Sequence, residues 1–183
     1  MPVILDLCGG TGAWSLPYAE AGYEVHIVTL PVDVRTWTWT GGSVHGVLAA
    51  PPCTEYAVSG ARWWKGKPPH LLIEADEITR ACLRIISEVQ PTWWALENPV
   101  GRIAKQVPEL GKYQYTFQPW QYGDPEMKRT CIWGNHTKPE PTVLIKPANV
   151  SERVHRLPPS PDRAMLRSIT PSGYANAFFR SNP

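Results

Sequence analysis

Residues 3–12 read VILDLCGGTG, an apolar run that leads directly into a glycine-rich turn. The apolar run is typical of a buried strand, and closely spaced glycines are typical of a turn. Glycine also lets the backbone come close to a ligand at the start of the following helix. Such turns are often purely structural, so this stretch alone is weak support for a binding site. It does predict that the chain begins with a strand, a tight turn and a helix.

The rest of the chain continues this alternation of strands and helices. Apolar residues at helical spacing predict helices at 13–21 and 71–89. Short apolar and β-branched runs predict further strands at 24–28, 47–50, 93–96, 113–117 and 129–133. This order of elements predicts an α/β fold with a mainly parallel, mixed sheet.

Three chemically distinctive turns follow the predicted strands. The first strand runs into Cys8 and Gly9, another runs into Cys53, and another into Glu97 and Asn98. In a parallel sheet ligands bind beyond the carboxyl ends of the strands, so these turns should meet at one edge. That convergence favours an enzyme.

The length and composition fit one globular domain over residues 1–183. A chain of 183 residues can bury a real core, and 43% hydrophobic with 19% charged residues argues against disorder. The net charge of +2 is compatible with a polyanionic substrate but does not require one. Residues 135–166 are rich in proline, serine and charge, which predicts an extended loop.

The cysteines and the apolar runs bear on the class of protein. Cysteines stand at positions 8, 53, 82 and 131, with no CxxC pair and no histidine at zinc-finger spacing, so we expect no metal site. No leader-like or membrane-spanning apolar stretch is present in the sequence. We therefore expect a soluble, cytoplasmic protein with reduced thiols and no membrane partner.

Cys53 and Glu97 are the strongest candidates for chemistry. Two prolines fix the backbone just before Cys53, and a rigid lead-in suits a nucleophile with a defined attack geometry. A buried cysteine is otherwise most often a small hydrophobic residue. Glu97 follows a buried run, where desolvation raises the pKa of a carboxyl group toward the range that suits proton donation. Helix capping is the structural alternative for Glu97.

Five segments in order resemble motifs of the cytosine-C5 DNA methyltransferases, in particular the short bacteriophage-type members. They are LDLCGGTG (5–12), PPC (51–53), ENPV (97–100), YGDPEMKR (122–129) and RSITP (167–171). One such motif would be weak, but five in order over nearly the whole chain are specific. The resemblance implies a Rossmann-like methyltransferase fold that uses S-adenosylmethionine. The GxG spacing of the first segment also suits this cofactor better than a dinucleotide.

The resemblance also implies roles for individual residues. Cys53 would be the catalytic nucleophile and Glu97 its acidic partner. The residues implied for cofactor binding are Asp6, Cys8, Gly9, Gly10, Thr11, Gly12, Trp14, Thr29, Asp33, Val34 and Pro51. Those implied for substrate binding are Pro52, Asn98, Lys128 and Arg129.

The chain departs from the family pattern at several places. Cys8 stands where the family usually has phenylalanine, and Thr29 stands where it usually has an acid for the ribose hydroxyls. The family's last motif, a Gly-Asn turn, has no match before Pro183. The gap between Gly134 and Arg167 is too short for a normal target recognition domain, so a partner subunit or a homo-oligomer could supply sequence readout.

The implied function is methyl transfer from S-adenosylmethionine to C5 of cytosine in DNA, through a covalent Cys53 adduct at C6. The same chemistry on free CMP or dCMP is an alternative, as is an inactive cofactor- or DNA-binding remnant. An amino-methyltransferase ranks last because it has no role for Cys53. Trp63 and Trp64, flanked by Arg62 and Lys65, are candidates either for base stacking or for a core.

Overall fold

A computed structural model describes residues 1–183 apart from the side chain of His155. This described part contains six strands: β1 (Val3–Leu7), β2 (Glu24–Val28), β3 (Gly46–Ala49), β4 (Trp93–Pro99), β5 (Tyr115–Phe117) and β6 (Thr130–Asn135). They form one sheet in the order β2-β1-β3-β4-β6-β5. The four strands from β2 to β4 are parallel, whereas β6 runs antiparallel to both β4 and β5.

Helices cover both faces of this sheet. They are α1 (Leu16–Glu20), α2 (Pro69–Val89), α3 (Ile103–Gln106), α4 (Arg153–Arg156), α5 (Arg163–Ser168) and α6 (Ser172–Ser181). The buried side of the long helix α2, including Cys82 and Ile85, packs in one core with Leu5 and Leu7. On the other face Ile4 packs with aromatic side chains of α1 and α6. All five β1 residues are buried because a central parallel strand is covered on both faces.

The predicted α/β architecture with a mainly parallel sheet is confirmed. Predicted strands 3–7 and 24–28 match the observed bounds, whereas the other predicted helices and strands differ from the observed ones by one to three residues at one or both ends. The first helix begins at Leu16 and not at 13, since Pro17 is compatible only with the first helical turn. The strand predicted at 93–96 continues to Pro99, because Glu97 and Asn98 pair with Ile132 and Cys131 of β6.

The segment predicted as an extended loop, 135–166, is not entirely irregular. It contains α4 and the first residues of α5, and a β-bridge joins Ser151 to Glu126. A 3-10 helix over Val58–Gly66 and the helix α6 were not predicted either. None of the helices in the described part of the chain is long and apolar enough to cross a bilayer.

Candidate active site

The turn after β1 forms the floor of a cleft at the carboxyl edge of the sheet. Cys8, Gly10 and Gly12 adopt positive φ angles of 57°, 54° and 72°, which reverse the chain before α1. Gly9 is constrained by space, because a Cβ atom there would lie 2.4 Å from Cγ of Asp6. The backbone of the turn is therefore in direct contact with a carboxyl group.

Asp6 is a fully buried acid beneath this turn. Its Oδ2 accepts a hydrogen bond of 2.5 Å from Ser15 Oγ, while its Oδ1 has no hydrogen-bond partner among the described residues. Burial raises the pKa of Asp6 to about 7, and the Ser15 hydrogen bond opposes part of that rise. An incompletely bonded buried carboxyl group of this kind suits a cationic ligand group.

Cys53 follows β3 in a turn that is held at two points. Its carbonyl oxygen accepts hydrogen bonds from the backbone N–H groups of Tyr56 and Ala57, at 3.0 and 2.9 Å. Upstream, the side chain of Asn98 donates a 3.0 Å hydrogen bond to the carbonyl oxygen of Pro51. Burial raises the pKa of the Cys53 thiol; the Glu97 carboxylate raises it further, and Lys128 and Arg167 oppose the rise. The thiol thus lies among one acid and two cations.

Glu97 lies within β4, one strand away from the Cys53 turn. Its side chain is buried, and its Oε2 lacks a hydrogen-bond partner in the part of the chain that the structure describes. Burial raises the pKa of Glu97, and the charge of Lys128 opposes that rise. Burial thus favours the protonated carboxylic acid, which is able to donate a proton to a ligand in the cleft.

Lys128 comes from the chain just before β6 and is also buried, with 8% of its surface exposed. Its backbone N–H donates a 3.0 Å hydrogen bond to the side chain of Gln118, and Thr130 Oγ1 donates one to its carbonyl oxygen. These bonds fix the backbone from which the ammonium group reaches the cleft.

These groups line one narrow cleft that encloses about 50 Å³ and opens to solvent. The glycine turn forms the floor, the Cys53 turn one side, and the segment 168–170 at the end of α5 another side. The predicted site residues that line it are Asp6, Cys8, Gly9, Gly10, Thr11, Trp14, Pro51, Pro52, Cys53, Glu97 and Lys128. Three turns far apart in sequence therefore meet at one place.

Several predicted site residues do not line this cleft. Asp33 binds the guanidinium of Arg35 with both carboxylate oxygens, and Val34 is buried in the core. Arg129 is exposed and donates a hydrogen bond to Thr116. Thr29 and Gly12 are also outside the lining, as is Asn98, which is buried and bonded to Pro51.

Sequence reasoning missed three contributors to the site. Ser15 bonds to the buried carboxyl group of Asp6, and Arg167 influences the charge state of Cys53. Residues 168–170 line the cleft directly. The segment RSITP (167–171), one of the five motif-like segments of the sequence, contains Arg167 and residues 168–170 and is therefore a usable signal, although the motif resemblance implies no site role for its residues.

Comparisons with known proteins find solved structures with a similar fold. No protein-family model matches the chain, and no curated protein matches its sequence. A solved structure, a candidate DNA modification methyltransferase encoded within a prophage (E. coli), is similar over 73% of this chain, with 19% identity and a TM-score of 0.52. The chain spans 46% of the length of that protein. The likeness shows a shared mixed α/β fold with a mostly parallel sheet.

Proposed function

We propose that this protein transfers a methyl group from S-adenosylmethionine to C5 of cytosine in DNA. The observation that carries the proposal is the shared cleft of Cys53, Glu97 and Lys128 at the carboxyl edge of the sheet. A thiol, a buried acid and a buried cation are the groups that covalent activation of a pyrimidine ring requires. The name of the prophage neighbour, which shares the fold, supports DNA as the substrate class.

The residues of the glycine turn fit the proposed cofactor. The open Oδ1 of Asp6 suits the ammonium group of the methionine part, and the absence of a side chain at Gly10, which has open space around it, lets a ligand approach the backbone. Trp14 and Pro51 line the same cleft and offer apolar surface. When bound, S-adenosylmethionine supplies a methyl group activated by its positively charged sulfur.

Cys53 activates the target ring by addition. Its thiolate forms a bond to C6 while Glu97 donates a proton to N3, and the electron pair of the ring becomes available at C5. After C5 carries the methyl group, the C5 proton passes to solvent. The bond between Cys53 and C6 then breaks, the double bond between C5 and C6 forms again, and Glu97 recovers its proton from N3.

Lys128 and Arg167 assist this chemistry through charge. Both lower the pKa of Cys53 against the effects of burial and of Glu97, so they increase the fraction of reactive thiolate. A bound substrate phosphate would compete for the same cations. Lys128 lines the cleft, so we assign it to the cleft itself. Arg167 lines the two neighbouring grooves and not the cleft, so we assign it to the entrance.

A radiolabelled methyl-transfer assay tests the proposal. We expect the parent protein to label cytosine-containing DNA, Cys53→Ala to reduce labelling to background, and Glu97→Gln to reduce it by about 10²–10⁴-fold. Cys131→Ala is the matched control, because Cys131 is a buried thiol of β6 outside the cleft. DNA with 5-fluorocytosine should give a stable adduct that maps to Cys53.

The substrate panel separates this proposal from the competing functions. Labelling of dCMP or CMP but not of DNA would assign the same chemistry to a free nucleotide. No labelling of any substrate, together with no heat of S-adenosylmethionine binding, would favour an inactive remnant. Full activity of a folded Cys53→Ala protein would exclude the covalent mechanism.

A further inference from the structure

A second groove begins at Cys53 and leads away from the cleft. One wall is the 3-10 helix Val58–Gly66, and the other is the segment 159–167, which includes most of α5. Arg167 connects the walls, since its Nη2 donates a hydrogen bond of 3.4 Å to Ser59 Oγ. The groove has a volume of about 490 Å³ and is open to solvent.

The side chains that line this groove carry positive charge. They include Arg62, Lys67, Arg163 and Arg167, and the described lining residues include no carboxylate. Lys67 is partly neutralised by Glu55, whose Oε1 lies 2.7 Å from its Nζ. Arg62 and Arg167 carry planar guanidinium groups, which bind phosphate well. The groove therefore fits a polyanion that passes the nucleophile.

An exposed aromatic ring lies in the same groove. Trp63 is 60% exposed, and the guanidinium of Arg62 lies 4.8 Å from the centre of its ring. The neighbouring Trp64 is different, because its ring lies under Arg102 at 4.1 Å and its indole nitrogen is buried. Trp63 therefore has a ring face that a ligand can reach, whereas Trp64 has a structural role.

We propose that this groove binds single-stranded DNA next to the target cytosine, with an unpaired base stacked on Trp63 and the phosphates on the arginines. The inference rests on the proposed function for the position of the target base. The Trp63 ring can stack on a base only where the face of that base is not covered by the next base. Such a free face occurs in an unpaired strand but not in an intact duplex. The short helices α4 and α5 also offer no long element for reading a duplex groove.

Binding measurements test this inference without any need for catalysis. Fluorescence anisotropy would compare a short labelled oligodeoxynucleotide with its duplex form. We expect the single strand to bind more tightly, and Trp63→Ala to weaken that binding by about tenfold, as the loss of one stacked base would. Trp63→Phe should retain most of the affinity. Lys65→Ala is the matched control, since Lys65 is exposed on the same 3-10 helix outside the groove lining.

Two further binding measurements distinguish the contribution of base stacking from that of charge. Trp63→Ala should leave the affinity for inorganic polyphosphate unchanged, because that polymer has no bases. Arg62→Ala should reduce the dependence of log K on log salt concentration by about 0.7, the value for one phosphate contact to a single strand. The inference is overturned if Trp63→Ala binds the single strand like the parent, if the duplex binds as tightly, or if Lys65→Ala has the same effect as Trp63→Ala.

These outcomes are distinguishable from failure of the proposed function. If Trp63→Ala loses single-strand binding while the parent protein transfers no methyl group to any cytosine, the binding groove is supported and the proposed methyl transfer is wrong. If the parent protein transfers the methyl group through Cys53 but does not bind an unpaired strand more tightly, the proposed function is supported and the single-strand groove is wrong.

Discussion

The side-chain amide of Asn98 donates a hydrogen bond to the carbonyl oxygen of Pro51, at 3.0 Å, between the end of β4 and the turn that carries Cys53. Both residues are buried. Asn98 therefore fixes the backbone two residues before the proposed nucleophile, although it does not itself line the cleft. Glu97, the preceding residue, does line the cleft, so this bond also sets the position of the Cys53 turn relative to the acid.

Replacing Asn98 should lower both stability and the reactivity of Cys53. Asn98→Ala leaves the Pro51 carbonyl without this donor, at a cost of about 1–3 kcal/mol in the free energy of unfolding. Urea denaturation measures that change, and the rate of Cys53 alkylation measures the effect on the turn. Asn176→Ala is the control, because Asn176 donates a similar hydrogen bond on the exposed side of α6. Equal losses in the two variants would contradict the special role of Asn98.

The charge state of Cys53 should respond in opposite directions to its two neighbours in the cleft. The Glu97 carboxylate raises the pKa of Cys53, so Glu97→Gln should lower it; Lys128 lowers this pKa, so Lys128→Met should raise it. The pH dependence of alkylation by iodoacetamide, followed for the Cys53 peptide by mass spectrometry, gives both values. Shifts in the same direction would show that Cys53 does not experience both charges.

The sequence was sufficient to predict the cleft because strand ends converge. Cys53 and Glu97 lie 44 positions apart in the chain, yet each comes from the carboxyl end of a parallel strand, and adjacent parallel strands place those ends side by side. The apolar run of β1 was equally readable, because a central strand that is buried on both faces is apolar along its whole length. These inferences use only local pattern and the geometry of a parallel sheet.

The parts that could not be predicted depend on contacts distant in sequence. Glu97 belongs to β4 only because β6 pairs with it, and a polar residue before a proline looks like a turn when read alone. The helices α4 and α5 are four and six residues long and have little periodicity of their own. The influence of Arg167 on Cys53 arises only when α5 lies beside the Cys53 turn.

Two glycines of the first turn should respond differently to alanine. Gly9→Ala places a methyl group against the Asp6 carboxyl, so we expect a loss of about 1–3 kcal/mol in the free energy of unfolding and weaker S-adenosylmethionine binding. Gly22→Ala is the control: Gly22 has a φ of 85°, open space around it and no place in the cleft. The Gly22→Ala variant should lose stability through backbone strain alone and bind S-adenosylmethionine like the parent. Calorimetric binding that is equal in both variants would contradict a ligand role for the turn.

The buried acid Asp6 should make stability fall as pH rises. Below its ordinary pKa of 3.8 both the folded and the unfolded chain hold the proton, so Asp6 contributes no pH dependence. Between 3.8 and about 7 only the folded chain binds it, and the free energy of unfolding decreases by about 1.4 kcal/mol per pH unit from this group. Above about 7 both states have lost the proton and the decrease ends.

Urea denaturation of the parent and of Asp6→Asn between pH 5 and 8 checks this sign, because other groups cancel in the difference between the two proteins. We expect the parent to lose stability relative to Asp6→Asn up to about pH 7 and no further above it. Ser15→Ala removes the hydrogen bond that lowers the pKa of Asp6, so it should extend the loss to higher pH. A difference that stays constant with pH would show that Asp6 is ionised in the folded protein throughout, and that its buried carboxylate is stabilised by a cation or a solvent path.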